Sequence, residues 1–182
     1  MRNFFLIFFF IFLTTNSYAS IKNDIIKNFN EIDNLSFKFE QNINNKIENG
    51  DCIIKYPKKI FCKYNSGNQK ILVSNGKSLV IKTSSSYYMY PLEKTPLDLI
   101  LDKKFLLKKI KKADENFIDN KFVSFKFYEN DNEINIFFNK ENYNLIGWQT
   151  VDIYQNLSIT FISSIIINQK IKSKIFNLPN QN

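Results

Sequence analysis

Ser36-Phe37-Lys38-Phe39-Glu40-Gln41, residues 36–41, is the stretch from which the fold is read. Phe37, Phe39 and Gln41 fall on one face and Ser36, Lys38 and Glu40 on the other, the alternation of a half-buried strand. Immediately upstream the spacing is different. Ile21, Ile25, Ile26, Phe29, Ile32 and Leu35 recur at steps of three and four, which predicts an amphipathic helix from Ile21 to Leu35. A helix leading into a strand is therefore the first motif of the chain.

Downstream, period two dominates. Asp51–Lys55 and Ile60–Tyr64 are short extended runs around Tyr56-Pro57-Lys58-Lys59, where Pro57 has a fixed φ and no donor and so suits a turn between paired strands. Ile71–Ser74 and Leu79–Ile81 flank Asn75-Gly76, a strong hairpin signature, and Tyr87–Tyr90 adds a further extended run. Thr95-Pro96 then opens a helical segment, with a hydroxyl cap followed by proline at the first position. Apolar residues from Leu97 to Ile110 exceed one core-facing stripe, and the segment reads as one helix or as two broken near Asp102. After Asp114 the strands return: Val123–Phe127, Ile134–Phe138, Leu145–Tyr154 and Leu157–Ile167, with Asn/Asp-rich turns at Asn130–Asn132 and Asn142–Asn144. The expectation is one mainly β domain with helices, an antiparallel meander interrupted by a helical insertion.

Composition removes most chemistry. The 182 residues contain no histidine, two cysteines and four glycines (Gly50, Gly67, Gly76, Gly147). Histidine-based acid–base pairs, His metal sites, four-thiolate zinc sites and Gly-rich phosphate loops cannot be drawn. No cofactor is implied, and a binding protein is expected in place of an enzyme. Asp98 and Asp102 share a helix face, yet with Lys103 and Lys104 beside them they read as a solvated helix turn. The net charge of +8 comes with no compact Arg cluster, so no nucleic-acid site is read.

Residues 1–19 read as a cleaved export signal. Arg2 precedes an unbroken apolar run from Phe4 to Leu13, and Ser17-Tyr18-Ala19 supplies small residues for cleavage before Ser20. The run is shorter than the roughly 20 residues of a membrane span. No cysteine follows it, so acylation of a new N-terminus is not expected. The mature domain, residues 20–182, is thus expected to be exported and soluble.

Four stretches together resemble the periplasmic outer-membrane lipoprotein carriers, the LolA family. They are Phe37–Gln41; Gly50–Tyr64 around Tyr56-Pro57; Ile71–Leu79 around Asn75-Gly76; and Leu145-Ile146-Gly147-Trp148 with Asp152, ending in Phe176-Asn177-Leu178-Pro179. The resemblance implies an incomplete antiparallel β-barrel with a helical lid over a hydrophobic cavity. It implies a monomeric chaperone that takes acylated lipoproteins from an inner-membrane lipoprotein-releasing transporter to an outer-membrane lipoprotein receptor. Phe37, Phe39, Ile60, Cys62, Ile100, Leu101, Phe105 and Trp148 are the expected lining of the acyl site, with Tyr56 at the lid. Tyr56 stands where the family commonly has an arginine that holds the lid closed, so closure is expected to be weaker or to rest on Lys55 or Lys58. A related exported half-barrel that binds other lipids or senses lipoproteins in envelope-stress regulation is the alternative reading. Folding about Pro57 sets Cys52 opposite Cys62, either as a disulfide or as two buried thiols.

Overall fold

The computed structural model describes residues 20–129 and 132–181. The expected export signal, residues 1–19, and Asn130-Asp131 of one expected turn lie outside the described residues. Helix α1 (Ile21–Asn30) leads into strands β1 (Asn34–Ile43), β2 (Lys46–Lys55), β3 (Lys59–Tyr64), β4 (Ile71–Asn75), β5 (Ser78–Lys82) and β6 (Tyr87–Pro91). A single 3-10 turn, Leu92–Lys94, precedes helices α2 (Leu97–Ile100) and α3 (Lys103–Lys112). Strands β7 (Asn116–Ile118), β8 (Phe122–Glu129), β9 (Asn132–Asn139), β10 (Leu145–Val151) and β11 (Leu157–Ile167) follow, and a 3-10 turn at Ser173–Phe176 lies in the tail.

All eleven strands form one antiparallel sheet in the order β6-β5-β4-β3-β2-β1-β11-β10-β9-β8-β7. Chain neighbours are sheet neighbours except β6 and β7, and the first and last strands pair with each other. The sheet is not closed, because β6 and β7 remain as its two edges. These edges are consecutive in the chain, and the α2–α3 segment is the connection between them. The insertion therefore sits where the barrel would otherwise close.

Local chemistry sets the boundaries. Helix α1 ends at Asn30, five residues earlier than the apolar spacing predicts. The Glu31 N–H closes the last turn onto Asn28 O at 3.2 Å, and the Ile32 N–H donates to Phe29 O at 3.3 Å. Asn168 then captures the connection, donating from Nδ2 to Glu31 O at 2.9 Å and accepting from the Asp33 N–H at 2.8 Å. Ile32 and Leu35 are still buried, but from the connection and from β1. The helical insertion is broken at Asp102, whose carboxylate accepts from the Phe105 N–H at 3.0 Å and caps α3. Thr95 does not cap α2; its hydroxyl donates back to Leu92 O at 2.8 Å. The β1–β2 turn is Asn44-Asn45, both at positive φ, the backbone that a two-residue hairpin requires.

The concave face and the helices share one core. Ile54, Phe125, Ile136 and Phe138 from the strands meet Ile25, Phe29, Ile100, Leu101, Leu106 and Ile110 from the helices. On the convex face the tail returns across the sheet. Phe176 is 2% exposed in the turn that packs on β3 and β4, and Lys82 Nζ donates to Asn180 O at 2.6 Å.

Candidate lipid-binding cavity

A cavity of about 190 Å³ opens between the concave face and the start of α2. Its walls come from β1, β2, β3, β4, β5, β10 and β11, with Thr95, Pro96 and Leu97 along one side. Pleating explains the lining. In the β1–β2–β3 register Phe37 faces Cys52, which faces Cys62, so alternate positions on neighbouring strands point inward together. Phe37 and Trp148 meet edge to face with centroids 6.3 Å apart, as do Phe39 and Tyr64 at 5.0 Å. Cys52 and Cys62 are joined in a disulfide, with Cα atoms 4.1 Å apart, and both line the wall.

Of the residues expected at the acyl site, Phe37, Phe39, Ile60, Cys62 and Trp148 line this cavity. Ile100 and Leu101 lie outside it, buried in the core shared by α2 and the sheet. Phe105 packs on Phe127 with centroids 6.0 Å apart, under Lys109. Leu72, Leu79, Ile81 and Leu97 add apolar lining that the sequence reading did not single out, and Gln41, Thr150, Ser158 and Thr160 add polar lining. Inward register was the available signal: Gln41 was already on the face of Phe37 and Phe39.

Contacts that close the lid gather at the β2–β3 turn. The Lys58 N–H donates to Leu101 O at 2.9 Å, tying the turn to the end of α2. Lys58 Nζ donates to Asp98 at 2.9 Å and lies 3.9 Å from Asp102. Asp98 and Asp102 are therefore not a solvated helix turn but the lid's anchor, with the Asp98 side chain only 15% exposed. Hydrogen bonding to Asp98 raises the Lys58 pKa above its ordinary value against the opposing effect of burial. Tyr56 lies beside this latch, its ring edge-on to Phe29 at 5.8 Å and its hydroxyl buried without a hydrogen-bond partner among the described residues. Burial raises the Tyr56 hydroxyl pKa above the usual phenol range.

At the cavity rim Lys70 pairs with Glu48 at 2.5 Å and lies over the Tyr64 ring, 4.1 Å from its centroid. Burial would raise the Glu48 pKa, but its hydrogen bonds to Lys70 and Lys46 and their charges bring it below the ordinary value. Across the rim, Asp152 organises the β10–β11 loop by accepting from the Tyr154 and Asn156 N–H groups at 2.8 and 2.9 Å. Among the described residues, no group of three or more His, Cys, Asp or Glu side chains gathers to hold a metal ion. The arrangement is a lidded apolar recess with a polar border, suited to reversible binding of a chain-like apolar ligand.

Residues 30–179 match the family described as outer membrane lipoprotein carrier protein LolA. The chain belongs to the LolA family. No curated protein matches it. Among solved structures, a LolA superfamily protein from Nitrosomonas europaea is similar at 9% identity, covering 88% of this chain and 99% of that one with a TM-score of 0.45. MucB is similar at 8% identity and a TM-score of 0.51, over 90% of this chain and 65% of MucB. The Mycobacterium tuberculosis lipoprotein LppX is similar at 10% identity, over 84% of this chain and 96% of that one, with a TM-score of 0.43. At such identities the likeness is one of fold. Membership of the LolA family supports a periplasmic, lipoprotein-binding role on a fold of binding and carrier proteins.

Proposed function

We propose that this LolA-family protein is a periplasmic chaperone that sheathes the acyl chains of outer-membrane lipoproteins in its concave cavity. In this reading residues 1–19 direct export and are removed. The mature monomer then takes cargo from an inner-membrane lipoprotein-releasing transporter and gives it to an outer-membrane receptor. The observation that carries the reading is the apolar recess roofed by helices inserted between the two open sheet edges. Each buried CH₂ of a ligand is worth about 0.8 kcal/mol, so crossing water with exposed acyl chains is strongly disfavoured unless such a surface covers them.

The closed lid limits what the cavity holds. An apolar cavity of about 150 Å³ accommodates a benzene-sized ligand. At about 190 Å³ the recess takes a segment of one acyl chain, so loading a multiply acylated lipoprotein requires α2 and α3 to lift. Lys58 and its contacts to Asp98 and Leu101 are what must part.

Native mass spectrometry of the protein isolated from the periplasmic fraction tests this directly. An acylated lipoprotein bound one to one, and lost in Leu97→Glu on the lid's inner side, is the expected result. A free phospholipid or fatty acid in its place would favour a lipid-binding relative with a different cargo. If neither cargo nor a soluble apolar probe binds, the carrier reading fails.

A further inference from the structure

An apolar recess does not need hydroxyls, yet one end of this one is built from them. Thr150, Ser158 and Thr160 line the cavity at 6%, 3% and 3% exposure, Thr160 opposite Trp148 and Thr150 opposite Ser158 nearer the β10–β11 loop. Gln41 holds two of them, donating from Nε2 to Ser158 Oγ at 3.0 Å and to Thr160 Oγ1 at 3.1 Å. A hydroxyl offers one donor and two acceptor sites. The Gln41 bonds occupy acceptor sites on Ser158 and Thr160 and leave their protons available for donation. Thr150 Oγ1 is buried with no hydrogen-bond partner among the described residues. A buried hydroxyl left in that state costs free energy that a bound acceptor would recover.

We propose that Gln41, Thr150, Ser158 and Thr160 form a carbonyl-binding subsite for the ester group of an acyl chain lying in the cavity. The inference rests on the lipid-binding reading above and adds to it a ligand chemistry and an orientation. A cluster of neutral donors fits a neutral acceptor-only group, which an ester carbonyl is. A carboxylate fits less well, because burying it without a counter-charge is costly. The cation at the rim, Lys70, is held by Glu48, and the nearby Asp152 is itself acidic. The sheet register then sets the direction. The methyl end runs inward toward Phe37 and Phe39, while the ester sits near the β10–β11 loop, from which the rest of the lipid leaves the protein.

Displacement of the fluorescent probe N-phenyl-1-naphthylamine by methyl decanoate and by dodecane tests the subsite in wild type, Thr150→Val and Thr150→Ser. Comparing variants cancels each ligand's own transfer from water. In Thr150→Val the affinity for methyl decanoate is expected to fall roughly 3- to 10-fold, the worth of one neutral hydrogen bond, with dodecane unchanged. Thr150→Ser, which keeps a hydroxyl there, is expected to restore ester binding. Equal changes for both ligands, or none for either, would overturn the subsite while leaving the apolar cavity intact. Failure of both ligands and the probe to bind the wild type would overturn the lipid-binding reading itself.

Discussion

Tyr56 and Glu48 show how single side chains divide the work around the cavity. The Tyr56 hydroxyl has no hydrogen-bond partner among the described residues, whereas the adjacent Lys58 holds the lid through Asp98 and Leu101. Tyr56→Phe removes an unsatisfied group and keeps the ring against Phe29. Its stability in urea is expected to be unchanged or raised by about 1 kcal/mol, with ligand affinity unaltered. A clear loss of either would return a gating role to the hydroxyl. Glu48 adds acid sensitivity at the cavity rim. Its folded pKa is lowered, so its contribution is fully present above its unfolded value near 4.5 and is lost as pH falls through the folded one. Glu48→Gln is expected to be less stable than wild type at pH 7, with the difference shrinking on acidification; thermal melts across pH 3–7 read this out.

Legibility at this scale followed the pleat. Strand alternation carries face information, and Phe37, Phe39, Ile60, Cys62 and Trp148 do point into the recess. Ile100 and Phe105 belong to helices and Leu101 to the turn between them, where apolar spacing says that a side chain is buried but not against which neighbour. Thr150, Ser158 and Thr160 are hidden from the sequence because polar residues in a strand are ordinarily read as facing water. Their inward register became visible only once β10 and β11 were paired.

Among the elements, the β2–β3 hairpin does two jobs: its turn grips the lid and its strands carry the disulfide. Lys58→Ala removes the ion pair while the backbone bond to Leu101 remains. Such a partly exposed charged contact is worth about 1 kcal/mol, so amide hydrogen exchange in α2 is expected to accelerate roughly fivefold. Unaltered exchange would mean that the lid is held elsewhere. The Cys52–Cys62 link closes a short loop, and Cys52→Ala/Cys62→Ala is expected to lose roughly 2–3 kcal/mol in equilibrium unfolding with the same fold. Spacing about Pro57 placed the two cysteines opposite each other, but covalent linkage depended on a register that one residue of slippage would have reversed. The end of α1 was less legible, because the residue that stops it, Asn168, lies far along the chain. Strand β7 has three exposed residues and leaves almost no periodic trace.

For the whole molecule, the open barrel follows from where the helical insertion falls in the meander. Eleven strands in chain order, with β1 joined to β11, would close if β6 met β7; the chain spends that connection on α2 and α3 instead. Antiparallel meander and inserted helices were both readable from period changes. The pairing of β1 with β11 is long-range, and alternation alone does not specify partners. The resulting molecule has two contrasting faces. Its concave side is apolar and lidded, while its convex side is crossed by the tail at Phe176 and carries scattered exposed residues such as Ile47, Phe161 and Ile166.

That contrast allows the central claim to be tested by asking which face an acyl chain touches. A triacylated lipopeptide with a diazirine in one acyl chain would be bound to the protein, irradiated and mapped by peptide mass spectrometry. Cross-links at Phe39, Leu72, Leu97 and Trp148 are expected, with fewer when the lipopeptide lacks its acyl chains. Cross-links confined to Ile47, Phe161 and Ile166 on the convex face would contradict a carrier that works through its lidded cavity.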